Sequence, residues 1–124
     1  MKFEAVHHIA IIGSHYERTR EFYVVEQLDE HIRPEKNDIL FNVKKGNMVL
    51  EIFIKPDAPL RPAMPNPEHT GLRHLAFKVA DVEACLEEFD RLGIRHEALR
   101  TDDFDGKKMA FFFDPDGLPL EIHE

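Results

Sequence analysis

The chain has 124 residues, 24 acidic and 16 basic, and a net charge of −8 with histidine neutral. That length suits one domain with a real core, and 43% apolar content fills it, which excludes a disordered chain. The acidic balance excludes a nucleic-acid binder, which needs a basic patch for phosphates, and no apolar run approaches the roughly 20 residues of a membrane span.

The N-terminus, Met1-Lys2-Phe3-Glu4, leads directly into a strand pattern with no sign of a signal peptide. Cys85 is the single cysteine, so no internal disulfide forms and a reducing cytoplasm is the expected location. Eight histidines is the unusual count.

Val6 to Ile12 is apolar and β-branched apart from two histidines and reads as a strand buried on both faces. Gly13 breaks it. Ser14 stands three residues before Glu17, a capping-box spacing that starts a helix, with Tyr16, Phe22, Tyr23 and Leu28 near one stripe. Asp29–Arg33, Ile39–Val43 and Met48–Ile54 read as strands, with a hairpin turn over Lys44 to Asn47. Between Lys55 and Thr70 the prolines Pro56, Pro59, Pro62, Pro65 and Pro67 forbid helix and ladder alike. This stretch reads as a linker, the alternative being an ordered loop over a site.

The pattern then restarts. Leu72–Val79 is a strand, and Asp81 N-caps a helix whose apolar residues are Val82, Cys85, Leu86, Phe89 and Leu92. Gly93 suits its C′ position. Ile94–Leu99 is a strand, Asp105-Gly106 a turn, Met109–Phe113 a strand, Asp114-Pro115-Asp116-Gly117 a turn, and Leu118–His123 the last strand.

Each half therefore reads β-α-β-β-β, and the halves agree in residues too. His8-Ile9-Ala10-Ile11 opens the first and His74-Leu75-Ala76-Phe77 the second; Leu50-Glu51-Ile52 closes the first and Leu120-Glu121-Ile122 the second. Strand alternation puts His8 on a face with Val6, Ala10 and Ile12, His74 with Leu72 and Ala76, and Glu51 between Val49 and Phe53. An ionised carboxylate buried alone in such surroundings is costly, so Glu51 must be neutral, paired or bound to a cation.

A single strand histidine is ordinarily a hydrogen-bonded core residue, and a single strand glutamate ordinarily faces water at an edge. Two imidazoles and two carboxylates in a twofold pattern instead suit a divalent transition metal, whose charge would keep the carboxylates ionised. His7 points to the opposite strand face from His8, and His15 lies in the first helical turn. His31, His69, His96 and His123 sit at element edges or in loops, and exposed or packing roles are expected for all of these. Arg73 faces away from His74 in a regular strand, Phe111-Phe112-Phe113 is core, and Glu83, Glu87 and Glu88 form a wetted helix face.

These residues resemble the vicinal oxygen chelate superfamily, which includes glyoxalase I, extradiol dioxygenases, and fosfomycin- and bleomycin-resistance proteins. The resemblance covers almost the whole chain. It rests on Val6-His7-His8-Ile9-Ala10-Ile11, Phe22-Tyr23, Leu50-Glu51-Ile52, Gly71-Leu72-Arg73-His74-Leu75-Ala76-Phe77, and the Asp114-Pro115-Asp116-Gly117 turn leading to Leu120-Glu121. Within it the chain resembles small bacterial glyoxalase-family proteins of the YaeR type.

The resemblance implies an α+β fold in which two tandem βαβββ modules form a curved mixed sheet around a metal site. Within one domain over 1–124, module one covers 5–54, a proline-rich linker 55–70 and module two 71–124. It implies the metal ligands His8, Glu51, His74 and Glu121, with one divalent ion per site, nickel, zinc or similar. Two histidines with two glutamates resemble glyoxalase I, a lyase that isomerises the hemithioacetal of a 2-oxoaldehyde and glutathione through a metal-stabilised enediolate. Glu121 is then the preferred base and Glu51 the second carboxylate.

The implied partners are a small substrate with vicinal oxygens, a thiol adduct being one form of it, and a second copy of the chain in a homodimer. The site would then close within one chain or be shared across the pair. The rival readings are another enzyme of this fold, a thiol transferase or extradiol dioxygenase needing three ligands, or a resistance protein that binds a small molecule without turnover.

Overall fold

The computed structural model describes residues 1–23, 27–33, 38–63 and 70–124, with 27–33 and 38 described by their backbone. The chain divides into two compact units, Met1–Pro59 and Leu60–Glu124. The first runs β1 (Ile9–Gly13), α1 (Tyr16–Tyr23), β2 (Gln27–Arg33), β3 (Asp38–Lys45) and β4 (Met48–Ile54). The second runs β5 (Leu75–Lys78), α2 (Val82–Leu92), β6 (Arg100–Thr101), β7 (Lys108–Phe113) and β8 (Pro119–His123). Each unit forms one four-stranded mixed sheet, ordered β1-β4-β3-β2 and β5-β8-β7-β6. The first and last strands of each unit pair in parallel, and the others are antiparallel. No described helix is long and apolar enough to cross a membrane.

The duplication extends to register. In β1 and β4, Ile9 pairs with Leu50 and Ala10 with Glu51; in β5 and β8, Leu75 pairs with Leu120 and Ala76 with Glu121. A one-residue slip would turn every side chain to the other face, so this register decides which residues meet the helix.

In the first unit Ile11, Leu50, Ile52 and Ile54 alternate inward and are buried, joined by Phe41, Val43 and Tyr23. Burying such a side chain contributes roughly 1.5–3 kcal/mol. Gly13 lies so close to Thr19 of α1 that a Cβ there would meet its Oγ1 at 2.6 Å. The β1–β4 face carrying Gly13 is therefore the face α1 covers. In the second unit Phe89 of α2 stacks on Phe112 with ring centroids 4.7 Å apart, so α2 covers the face carrying Phe112, Leu120 and Ile122. Ile52 and Ile122 correspond, and both glutamates look the other way.

Most local signals act as expected. Asp81 Oδ1 accepts a hydrogen bond from the Ala84 amide and starts α2. Gly93, at φ 71°, ends it in a Schellman motif, its amide reaching Asp90 O and that of Ile94 reaching Phe89 O. Asp114 Oδ1 accepts from the Asp116 and Leu118 amides and ties the turn before β8.

Several expectations are corrected. β1 and β5 begin at Ile9 and Leu75, so His8 and His74 stand just ahead of their strands. β1 is buried on one face only, since Ala10 and Ile12 are exposed. Gly13 belongs to β1 rather than breaking it, and Leu28 lies in β2 rather than on the helical stripe. Ile94–Leu99 is not a regular strand. It meets β7 through a single bridge, His96 to Phe112, and through backbone bonds at Arg95 and Glu97, and the ladder resumes only at Arg100. Of the proline-rich stretch, residues 55–63 hold neither helix nor strand, while Pro65, Pro67 and His69 lie outside the described residues.

Candidate metal centre

Both histidine–glutamate pairs occupy the sheet face turned from the helix of their own unit. In the first unit His8 Nε2 lies 3.7 Å from Glu51 Oε2, and the two side chains are 39% and 25% exposed. Val49 and Phe53, on either side of Glu51 along β4, are half-buried as well. The cross-strand neighbour of Glu51 on β3 is Asn42. Its Oδ1 is shielded from solvent and has no hydrogen-bond partner among the described residues. An unmatched buried acceptor is costly, and this one shares a sheet face with two potential metal donors.

In the second unit the contact is tighter. His74 Nε2 donates to Glu121 Oε2 at 2.7 Å, and Glu121 is 7% exposed. The cross-strand neighbour of Glu121 on β7 is Phe111, 2% exposed, whose ring packs edge-on against His74 with centroids 5.0 Å apart. Arg100 lies 4.8 Å from the centre of the same ring and Arg73 5.7 Å from it. Arg73 Nη1 also lies 3.4 Å from His74 Nδ1. This corrects the expectation that Arg73 faces away: strict alternation fails because residues 73 and 74 precede β5. For the same reason His7 is not opposed to His8, their Nδ1 atoms lying 2.9 Å apart.

Glu121 has a second imidazole. His123 Nδ1 lies 2.9 Å from Glu121 Oε1, and His123 Nε2 lies 2.7 Å from Asp105 Oδ2. Asp105 beside the ring, then Glu121, favour its cationic form and raise the His123 pKa against the opposing effect of desolvation. The Lys107 amide and then His123 lower that of Asp105. Donor atoms of Asp102, Glu121 and His123 all fall within 4.8 Å of one another.

The earlier assignment of His123 to an exposed or packing role is therefore corrected. The signal was present: two residues apart on one strand, His123 and Glu121 share a face. That Asp105 completes the chain was not visible, because it depends on the turn from Asp102 to Lys107. There Asp102 Oδ1 accepts from the Phe104 and Asp105 amides, and Asp105 Oδ1 accepts from Lys107. His15 meets Glu17 at 3.4 Å and His96 meets Asp90 at 2.8 Å, and His31 is described by its backbone.

The donor chemistry of both pairs fits a divalent ion. Two donors about 2.1 Å from one ion and at right angles lie about 3 Å apart, close to the His74–Glu121 spacing. The shielded Asn42 oxygen marks the same face in the first unit as polar.

The chain matches the model of the Glyoxalase/Bleomycin resistance protein/Dioxygenase superfamily over residues 5–122, and it belongs to that superfamily. It is 42% identical to YwkD of Bacillus subtilis (strain 168) over 129 residues, covering 100% of this chain and 99% of that one. It is 39% identical to YaeR of Escherichia coli (strain K12), covering 96% and 95% of the two chains. The crystal structure of a glyoxalase family protein from Enterococcus faecalis is similar at 52% identity and a TM-score of 0.86, with 100% of each chain covered. The α+β architecture expected for the superfamily is thus the one observed.

Proposed function

We propose that this protein is a metal-dependent lyase or isomerase of the glyoxalase I kind. Its substrate is a small molecule with two adjacent oxygens, such as the hemithioacetal of a 2-oxoaldehyde and a thiol. The observation that carries the reading is the repeated histidine–glutamate pair, set in the same register and on the same kind of sheet face in both units. In this reading His8, Glu51, His74 and Glu121 are the metal ligands, supplied by one chain or exchanged between the two chains of a homodimer. The free Cys85 suits the reducing cytoplasm in which such thiol chemistry runs.

A divalent ion held by these residues would supply Lewis acidity toward the two substrate oxygens. Glu121 takes the proton from the hydroxyl-bearing carbon beside the carbonyl and returns it to the former carbonyl carbon, while the hydroxyl proton passes from the first oxygen to the second, so bonds and electrons balance within the substrate. Phe111 shields this carboxylate from water, and His74 holds one of its oxygens. Glu51, a quarter exposed and farther from its histidine, acts as ligand more than as base. That looser pairing also favours a second reading, a three-ligand centre of the thiol-transferase or dioxygenase kind.

The test is a screen of methylglyoxal with several low-molecular-weight thiols across nickel, zinc, cobalt and manganese, alongside metal analysis. Turnover that depends on metal and is lost in Glu51→Ala supports the four-ligand isomerase. Activity retained by Glu51→Ala supports the three-ligand reading. Absence of stoichiometric metal even after nickel or zinc is supplied, with a tight small-molecule complex and no turnover, would sink both in favour of a binding protein.

A further inference from the structure

The Glu121 carboxylate is held at both ends. Oε2 meets His74, while Oε1 meets His123, whose far nitrogen meets Asp105. A glutamate with only one oxygen restrained can swing, or can offer both oxygens to a metal; here the second oxygen is already engaged. We propose that His123, oriented by Asp105, is a positioning residue that holds Glu121 Oε1 and leaves Oε2 alone to the metal and the substrate proton. The inference rests on the reading of Glu121 as a metal ligand.

Three features make this arrangement more than a surface ion pair. Glu121 is 7% exposed, so a polar contact to it is weakly screened. The Asp105 carboxylate is fixed rather than free: the turn carrying it is tied by Asp102 Oδ1, and its own Oδ1 is occupied by the Lys107 amide. His123 pairs across β7–β8 with Met109, which itself pairs with Arg100, so the ring is placed by three paired strands. Partners that orient a ligand in this way ordinarily change metal affinity on the order of 10- to 100-fold when removed.

The experiment measures Co(II) affinity by chelator competition, together with the visible absorption of the Co(II) protein, for wild type, His123→Leu, His123→Asn and Asp105→Asn. Asparagine can place an N–H near the position of Nδ1. The expected result is a loss of affinity on the order of 10- to 100-fold in His123→Leu, with weaker visible absorption as Glu121 swings to bind through both oxygens. Most of both properties should return in His123→Asn, and Asp105→Asn should show a smaller loss in the same direction. A purely structural role would lower the melting temperature without changing the absorption band.

Should His123→Leu fail to fold, the exposed Asp105→Asn variant carries the same test. Wild-type affinity and spectrum in both His123→Leu and Asp105→Asn would overturn this inference alone. Failure of the wild type itself to bind Co(II) would overturn the metal-site reading and this inference together.

Discussion

The two modules share a topology and a register yet surround their glutamates differently. Beside Glu51 stands Asn42, its oxygen shielded and unmatched among the described residues; beside Glu121 stands Phe111. Glu51 is a quarter exposed and 3.7 Å from one imidazole, whereas Glu121 is buried and touches two imidazoles at 2.7 and 2.9 Å. A duplicated frame supplies two equivalent positions. The residues on the next strand then decide how dry and how rigid each carboxylate is, which under the proposed function sets the one that moves a proton.

The sharpest way to break this comparison is to neutralise each carboxylate in turn. Glu121→Gln should lower turnover roughly 10²- to 10⁴-fold, the range expected when a general base is removed. Glu51→Gln should act chiefly on metal content with a smaller loss of rate, as steady-state kinetics beside metal analysis would reveal. Equal losses in rate would mean that the two modules are chemically equivalent.

The next effect concerns the cores, where the modules should match. Ile52 and Ile122 are 0% and 3% exposed and occupy corresponding register positions. Each truncation to alanine should cost about 2–5 kcal/mol by denaturant unfolding, through lost burial and the cavity left behind. Clearly unequal costs would show that Phe41, paired with Ile52, and Ala110, paired with Ile122, collapse unequally into the space.

Val79, just past the end of β5, corresponds to Gly13 at the end of β1, and Gly13 is pressed against α1. Its added Cβ would lie 2.6 Å from Thr19 Oγ1, 2.8 Å from Thr19 Cγ2 and 3.2 Å from Ile54 Cδ1. Gly13→Ala should therefore cost about 1–3 kcal/mol by overpacking, measured as a lowered melting temperature. Val79→Ala, at a half-buried site, should cost less.

The smallest effect is a pH dependence confined to the second module. The Glu97 carbonyl, then the Asp90 carboxylate, hold the His96 pKa above its ordinary 6.5. Because the folded value is raised, this contribution is fully present below about pH 6.5 and fades as pH rises through the folded pKa. The melting-temperature gap between wild type and His96→Gln should shrink upward from that point. A gap independent of pH would remove the charge from the explanation.

Much of this was legible in the residues. Asp81 and Gly93 bound α2 because capping is local chemistry, needing only a carboxylate and a residue free to adopt positive φ. The Asp114 turn was readable for the same reason. The repeat marked His8, Glu51, His74 and Glu121 without any coordinates. Alternation misled wherever a strand was shorter than its apolar run, as at His7 and Arg73, because facing rules hold only inside a paired ladder. Ile94–Leu99 carries strand composition, but composition does not guarantee a continuous ladder.

By itself the sequence determined that two βαβββ units repeat and that the two histidine–glutamate pairs correspond, since period, capping and turn chemistry are short-range properties. Only the tertiary structure decided that Glu121 is buried against Phe111, that His123 and Asp105 extend its hydrogen-bond chain, and that Glu51 stays more open. Those outcomes depend on strand register and on a turn bringing Asp105 to the end of β8, distances set by packing between residues far apart along the chain.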